Sequence, residues 1–140
     1  MPAPPARTRP EARQTLWVAS NVLGGELECC GADPLTGFYR DGCCNAGPDD
    51  VGRHTICAVV AAELLEHQRQ IGKDLSTPVP LWGLPGLRPG DRWCVTAANW
   101  LRAYHDGCAC FVVLACTEER TLDVVPLELA VEVPPGPVGL

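Results

Sequence analysis

The 140-residue sequence has a single lysine, Lys73, and only two serines, Ser20 and Ser76. Neither serine lies in a G-x-S-x-G motif, which argues against a serine hydrolase. The phosphate-binding loop G-x-x-x-x-G-K-[ST] has a glycine six residues before its lysine, and Lys73 lacks that glycine. No G-x-G-x-x-G motif occurs either, so both common nucleotide-binding motifs are absent. The net charge of −6 also argues against nucleic-acid binding, because neutralising phosphates requires clustered Lys and Arg.

Long apolar runs are missing as well. The best candidate for the core of a signal peptide, residues 16–19, has only four residues. Such a core spans roughly 7–15 residues. No segment approaches the ~20 apolar residues of a membrane-spanning helix. We therefore expect a cytoplasmic protein that does not associate with a membrane.

The nine cysteines contain no C-x-x-C pair. This absence removes the usual zinc knuckle and the thioredoxin-type redox motif. Reducing cytoplasm keeps thiols free, and an odd number of cysteines cannot all pair within one chain. We therefore expect free thiols, some of them packed like small hydrophobic side chains.

The distribution of proline and glycine indicates one domain with two tails. Residues 1–15 are rich in proline and charge, and residues 134–140 are rich in proline and glycine. We expect both tails to be disordered. The domain then covers residues 16–133. Within it, residues 31–52 and 72–91 are Gly/Pro-rich and match neither the helical nor the strand period, which predicts two long loops.

The remaining segments predict two main helices and several short strands. The first helix covers residues 61–71 and ends at Gly72, and the second is capped by Thr96 and ends at Gly107. Strands are predicted at 55–60, 92–95 and 111–115, and more weakly at 122–125 and 129–133, although 127–131 fits a short helix too. The elements follow no regular βαβ order, so we predict an α+β fold with a short mixed or antiparallel sheet.

The densest group of reactive side chains lies at residues 40–45, and His54 and Cys57 follow it. Soft donors collected on a loop are typical of a metal site, a redox site or a reactive thiolate. The candidate thiol site consists of Cys30, Cys43, Cys44, Cys57 and Cys94. Neighbouring polar residues are candidates to support it: His54, Asp41, Arg40, Asp91 and Arg92.

A metal is the first reading of this site. Zinc needs four thiolate or imidazole ligands, and His54 and Cys57 form the only pair with knuckle spacing. The predicted ligands are Cys43, Cys44, His54 and Cys57, holding zinc or another thiophilic metal. A calcium loop is disfavoured because the acidic tract 41–52 lacks the closing Glu.

Two other readings stay open. The adjacent Cys43 and Cys44 could close a vicinal disulfide, or one thiolate could act as a nucleophile, with His54 as its base or with Cys57 activated at a helix N-terminus. Alternatively the cysteines only pack. We read Cys108, Cys110 and Cys116 as packing thiols, and His67 and His105 as solvent-facing.

The polar neighbours also have a simpler explanation. Aspartate beside glycine or proline is an ordinary turn residue. Asp41, which follows Arg40, and Asp91, which precedes Arg92, are both of this kind. Loop-fixing ion pairs are therefore favoured over recognition of an anionic ligand.

Several long motifs in the same order resemble domain-of-unknown-function family 2237, a bacterial family of small proteins without an assigned activity, cofactor or catalytic residue. The matching segments are residues 21–24, 33–45, 47–52, 74–78 and 85–94, within a resemblance covering about 19–130. The family pattern implies cysteine at positions 30, 43, 44, 57 and 94. It more often has other residues at 108, 110 and 116, and many members carry a further cysteine where Thr96 stands.

We therefore expect a binding or sensing module built on the thiols, with a metal or a small molecule as its ligand. The rival hypotheses are a cysteine-thiolate enzyme or redox protein, and an interaction domain in which the cysteines only pack. In the last case Tyr39 and Trp82 are the candidate contact residues. The sequence indicates no particular protein partner.

Overall fold

Three short strands form an antiparallel sheet in which the first strand of the chain is central. A computed structural model describes residues 19–45, 47 and 49–135. Strand β1 spans Ile56–Val59, β2 spans Arg92–Val95 and β3 spans Phe111–Val112. The order across the sheet is β2-β1-β3. Strand β1 therefore bonds to a neighbour on both sides, as its β-branched and apolar residues favour.

The register of β1 on β2 decides which side chains share a face. Ile56 lies opposite Val95, and Ala58 lies opposite Trp93. Between them, Cys57 lies opposite Cys94. Because successive side chains on a strand point to opposite faces, the two cysteines lie on one face of the sheet and the apolar pairs lie on the other.

Three α-helices cover the apolar face. Helix α1 spans Ala62–Gln70, α2 spans Ala97–His105 and α3 spans Leu127–Glu132. Their buried side chains join those of the strands in one core, which includes Leu64, Trp100 and Ala130. The Trp100 indole N–H donates to the Cys110 carbonyl at 3.0 Å, so this ring is both packed and hydrogen-bonded.

Local signals explain the helix ends. The Thr96 hydroxyl accepts a hydrogen bond from the Asn99 backbone N–H, which caps α2 as predicted. Gly72, with φ of 84°, follows α1, and the next N–H, that of Lys73, returns to the Gln68 carbonyl. This left-handed exit is one that glycine adopts without strain.

The predicted α+β class is confirmed, whereas three local expectations are wrong. Residues 111–115 do not form a central strand, because only two of them extend β3, at an edge, before a 3₁₀ turn at Leu114–Cys116. Residues 119–123 form a 3₁₀ turn, so the weak strand expected at 122–125 is absent. Helix α3 confirms the short helix that the sequence offered as the alternative to a strand at 129–133. His67 is buried and not solvent-facing, since its Nε2 pairs with Asp106 at 2.7 Å.

The expected tails lie almost wholly outside the described residues. The predicted N-terminal tail, 1–15, falls there completely, and so do residues 136–140. No helix in the described part of the chain has the length and hydropathy needed to cross a membrane.

Candidate functional site

The second face of the sheet is covered by a chain segment that disulfides attach to it. Cys30 is bonded to Cys57 on β1, and Cys44 is bonded to Cys94 on β2. A third disulfide joins Cys29 to Cys43. The sequence has two adjacent-cysteine pairs, 29–30 and 43–44. In each pair one cysteine is therefore bonded to the sheet, and the other is bonded to a cysteine of the other pair.

Backbone hydrogen bonds hold these two adjacent-cysteine pairs side by side. The N–H groups of Cys30 and Gly31 both donate to the Gly42 carbonyl, at 2.7 and 3.0 Å. The Gly42 N–H in turn donates to the Thr36 carbonyl at 2.8 Å. Gly42 has φ of 87°, and a Cβ there would lie 3.0 Å from the Gly31 carbonyl oxygen. Glycine is required at this position both for its backbone conformation and for the close approach.

Cys57 and Cys94 face each other as a pair that shares no backbone hydrogen bond. The Cys57 N–H donates instead to the Thr117 hydroxyl at 3.1 Å, and the Cys94 N–H donates to the Thr36 hydroxyl at 2.8 Å. In antiparallel sheets such pairs have the closer Cα atoms, about 4.5 Å apart. The strand register thus places Cys57 and Cys94 side by side before any loop residue contributes.

The buried sulfurs form one compact group. The Sγ atoms of Cys30, Cys44 and Cys57 all lie within 4.8 Å of one another, and Cys94 is bonded to Cys44. All four residues are buried, with exposed fractions between 0% and 2%. We call Cys30, Cys44, Cys57 and Cys94 the inner cluster. By contrast, Cys29 is exposed and Cys43 is half-buried, and we call these two the outer disulfide.

A fifth side chain, Cys116, packs against the inner cluster as a free thiol. Its Sγ lies 3.3 Å from the Cys29 carbonyl and donates to it. Burial raises the pKa of the Cys116 thiol, although the positive charge of Arg92 opposes this shift. Burial also raises the pKa of Cys110 to about 12. Both thiols are therefore poor nucleophiles at neutral pH.

Two expectations about the cysteines are wrong. Six of the nine are paired in disulfides, so the general expectation of free thiols fails. Cys43 and Cys44 form no vicinal disulfide, because each is bonded to a different partner. The three cysteines expected to be packing thiols are the ones that remain free: Cys108, Cys110 and Cys116.

The ligand group in the structure differs from the predicted set of Cys43, Cys44, His54 and Cys57. Among residues 19–45, 47 and 49–135, the group of three potential ligands is Cys30, Cys44 and Cys57. Cys43 belongs to the outer disulfide. The His54 Nδ1 lies 2.7 Å from Oδ1 of the buried Asp50, whose Oδ2 also accepts the His54 backbone N–H at 2.7 Å. These bonds fix the turn that leads into β1.

The other predicted supporting residues shape the loops. Asp41 accepts from the Cys43 N–H at 3.0 Å, and Asp91 accepts from the Arg88 N–H at 2.9 Å, as turn residues do. The Arg40 guanidinium donates to the Gly37 carbonyl and lies 5.0 Å from the centre of the Trp93 ring. Arg92 reaches the Cys30 carbonyl at 3.4 Å, so it contacts the backbone of the inner cluster.

Sequence reasoning missed Cys29, Cys116 and the two threonines that accept the N–H groups of the β1–β2 cysteine pair. Cys29 had a signal, because the adjacent pair 29–30 repeats the pattern of 43–44. Thr36, Thr117 and Cys116 had none, since they are hydrogen-bonded to Cys94, Cys57 and Cys29, which are 58, 60 and 87 positions away in the chain.

Comparison with known protein families identifies the family of this chain. The model of domain-of-unknown-function family 2237, described as an uncharacterized protein conserved in bacteria, matches residues 20–133. These residues contain all three disulfides and the three free cysteines. No curated protein matches the sequence.

Proposed function

Because the chain belongs to domain-of-unknown-function family 2237, an uncharacterized bacterial family, we propose its function from the inner cluster alone. The protein is a thiol-based binding module. When reduced, Cys30, Cys44, Cys57 and Cys94 hold one thiophilic metal ion, with zinc as the best fit. When oxidised, the same four sulfurs form two disulfides.

The proximity of the sulfurs is the observation that carries this proposal. Three Sγ atoms lie within 4.8 Å of one another. Tetrahedral zinc with Zn–S bonds of about 2.3 Å places its thiolates roughly 3.8 Å apart. Opening the two disulfides frees the bonded sulfurs of each pair to separate toward that spacing around one metal ion. The fourth ligand, Cys94, is positioned by the strand register opposite Cys57.

The burial of the inner cluster favours a closed site over a catalytic one. Structural zinc sites use four protein ligands, whereas catalytic sites keep one position for water. The four cysteines are almost inaccessible to solvent, so no open coordination position faces the surface. A metal held here would attach the segment around residues 30–44 to the sheet, as the two disulfides do in the oxidised protein.

Metal binding and disulfide formation exclude each other at these sulfurs. Closing each disulfide removes two electrons and two protons from a pair of thiols, and a disulfide oxidant accepts them. The metal requires the thiolates that this oxidation consumes. The inner cluster therefore reports the surrounding thiol–disulfide balance by holding or releasing its metal.

Zinc analysis of the reduced protein tests the proposal. The protein is reduced and unfolded without oxygen, refolded with excess zinc and separated from unbound metal. We expect one zinc per chain, retained by Cys108→Ala/Cys110→Ala and lost in Cys44→Ala/Cys94→Ala. The first double variant is the matched control, because it also removes two cysteines. Zinc at background level in the wild type would refute the proposal, as would equal zinc in both variants.

A thiolate enzyme is the rival function, and the positions of its candidate residues weigh against it. Cys57 lies in a strand and not at a helix N-terminus, and its sulfur is bonded to Cys30. Among the described residues, the His54 ring is hydrogen-bonded to Asp50 and to no cysteine thiol. If metal-free reduced protein has one thiol that reacts much faster than the others below pH 7, the enzyme is favoured. If every thiol reacts slowly until denaturant is added, the hypothesis that the cysteines only pack is favoured.

A further inference from the structure

The outer disulfide differs from the other two in its accessibility. Cys29 is exposed and Cys43 is half-buried, whereas the four cysteines of the inner cluster have exposed fractions of at most 2%. Thiol–disulfide exchange requires an attacking thiolate to reach a sulfur atom directly. In the folded protein only the outer disulfide satisfies this condition, so reduction by another macromolecule must begin there.

Apolar side chains are exposed beside this disulfide. Leu35, Phe38 and Tyr39 expose 46%, 37% and 46% of their surface. The rings of Phe38 and Tyr39 pack edge to face with centroids 5.0 Å apart. We call these three residues the apolar rim. Contiguous exposed apolar patches mark protein–protein contact sites, and aromatic residues are enriched there.

The backbone places the rim against Cys43. A Cβ at Gly37, the residue before Phe38, would lie 2.5 Å from the Cys43 carbonyl oxygen, so the two backbone segments touch. The Leu35 Cδ1 atom lies 3.8 Å from the Cβ position of Gly42, the residue before Cys43. Gly37 has φ of 102°, so glycine permits both the conformation and the contact. The segment that carries the rim therefore lies directly against the segment that carries Cys43.

We propose that the apolar rim beside the outer disulfide docks a protein dithiol of the thioredoxin type, which reduces the outer disulfide as the first step in opening the inner cluster. This inference rests on the proposed function, because it names what delivers electrons to the same cysteines. The partner thiolate attacks Sγ of Cys29 or Cys43, and a mixed disulfide forms as the Cys29–Cys43 bond breaks. The partner's second thiol then attacks the mixed disulfide. The partner leaves as a disulfide, and two electrons and two protons remain on Cys29 and Cys43.

The connectivity explains how the first reduction leads to the second. Cys29 and Cys43 directly precede Cys30 and Cys44, one from each inner disulfide. Without the outer disulfide, the two segments are held together near this point by the hydrogen bonds to the Gly42 carbonyl. Separation of the segments gives a second dithiol access to the inner cluster.

A trapping experiment tests the docking. The oxidised protein is mixed with a reduced thioredoxin whose second active-site cysteine is replaced by serine, which prevents release of the mixed disulfide. We expect a covalent complex whose bond maps by mass spectrometry to Cys29 or Cys43. Attachment at any other cysteine, or no complex, overturns the proposal. In the variant Cys29→Ala/Cys43→Ala, shown to be folded by its thermal transition, any complex should instead map to the inner cluster, because this variant lacks the outer disulfide that shields it.

The rim is tested by comparing a protein reductant with a small one. Reduction of Phe38→Ser/Tyr39→Ser by intact thioredoxin should be about tenfold slower than that of the wild type, which equals about 1.4 kcal/mol of lost binding. Its reduction by dithiothreitol should be unchanged, because a small dithiol needs no docking surface. Leu23→Ser/Leu122→Ser, which alters exposed apolar residues outside the rim, is the matched control. Equal slowing in both double variants would contradict a role for the rim.

The two proposals fail in different measurements. Zinc binding is measured after chemical reduction, so it does not depend on docking. Trapping is measured on the oxidised protein without metal, so it does not depend on zinc. A trapped complex without zinc binding removes only the metal site, and zinc binding without a complex removes only the dithiol partner.

Discussion

Removing the Cys44–Cys94 disulfide is predicted to be the most destabilising single cross-link deletion in this protein. The two residues are 50 positions apart, the largest separation among the three disulfides. In the chain-entropy model a loop of that length contributes about 4 kcal/mol to the free energy of unfolding. The other two disulfides shorten the path between residues 44 and 57, and so the effective loop, by about ten residues, which lowers this value by only about 0.2 kcal/mol. The estimate therefore stands for Cys44→Ala/Cys94→Ala.

Guanidinium unfolding of the oxidised protein, followed by tryptophan fluorescence, measures this loss. Trp93 and Trp100 are buried in the core, so their emission reports unfolding. A loss of 4 kcal/mol lowers the unfolding midpoint by about 1 M guanidinium chloride for a domain of this size. The Cys29→Ala/Cys43→Ala variant provides the comparison. Its separation of 14 residues predicts a smaller loss, about 3 kcal/mol.

The same unfolding curves in the presence of a reductant complete the test. Reduction removes the disulfides from the wild type. The free energies of unfolding of the wild type and of Cys44→Ala/Cys94→Ala should then differ only by the effect of removing two sulfur atoms. Equal stability of the two proteins without reductant would refute the reasoning, because Cys44 and Cys94 would then not be joined.

Two further predictions concern single side chains. Thr36→Val leaves the buried Cys94 N–H without its acceptor and should lower the free energy of unfolding by about 1–3 kcal/mol. The reverse exchange at the exposed Val51, Val51→Thr, should change it by less than about 0.5 kcal/mol in the same denaturation assay. Burial raises the pKa of Cys110 to about 12, so its protonated form dominates at pH 8 and its alkylation rate should rise about tenfold per pH unit up to that value. Peptide mass spectrometry should show that the half-buried Cys108 is alkylated first at pH 8. An alkylation rate of Cys110 that stops rising below pH 10 would contradict the prediction.

The elements that the sequence predicted well are those whose signals are local. Helix α2 has its cap, its apolar face and its terminal glycine within twelve residues, and β2 follows directly from a turn at 88–91. Residues 111–115 show the limit of such signals. Their uniform apolarity indicates burial, but it does not reveal that β1 occupies the centre of the sheet and that the chain turns after Val112.

The candidate site shows the same division. The predicted thiol site had five cysteines, and four of them, Cys30, Cys44, Cys57 and Cys94, do lie in one buried cluster. That cluster leaves out Cys43 and includes Cys116. The pairing could not be deduced, because six cysteines allow fifteen connectivities and the correct one depends on the register that sets Cys57 opposite Cys94. His54 was predicted as a ligand from its spacing to Cys57. Its partner, Asp50, is determined by a turn whose geometry the sequence does not specify.

X-ray absorption at the zinc edge of the reduced, zinc-loaded protein tests the inner cluster most directly. Four sulfur neighbours at about 2.3 Å, and no nitrogen or oxygen, are the expected coordination. A zinc ion bound by imidazole nitrogen or by water, with fewer than three sulfurs, would contradict the assignment of Cys30, Cys44, Cys57 and Cys94 as its ligands.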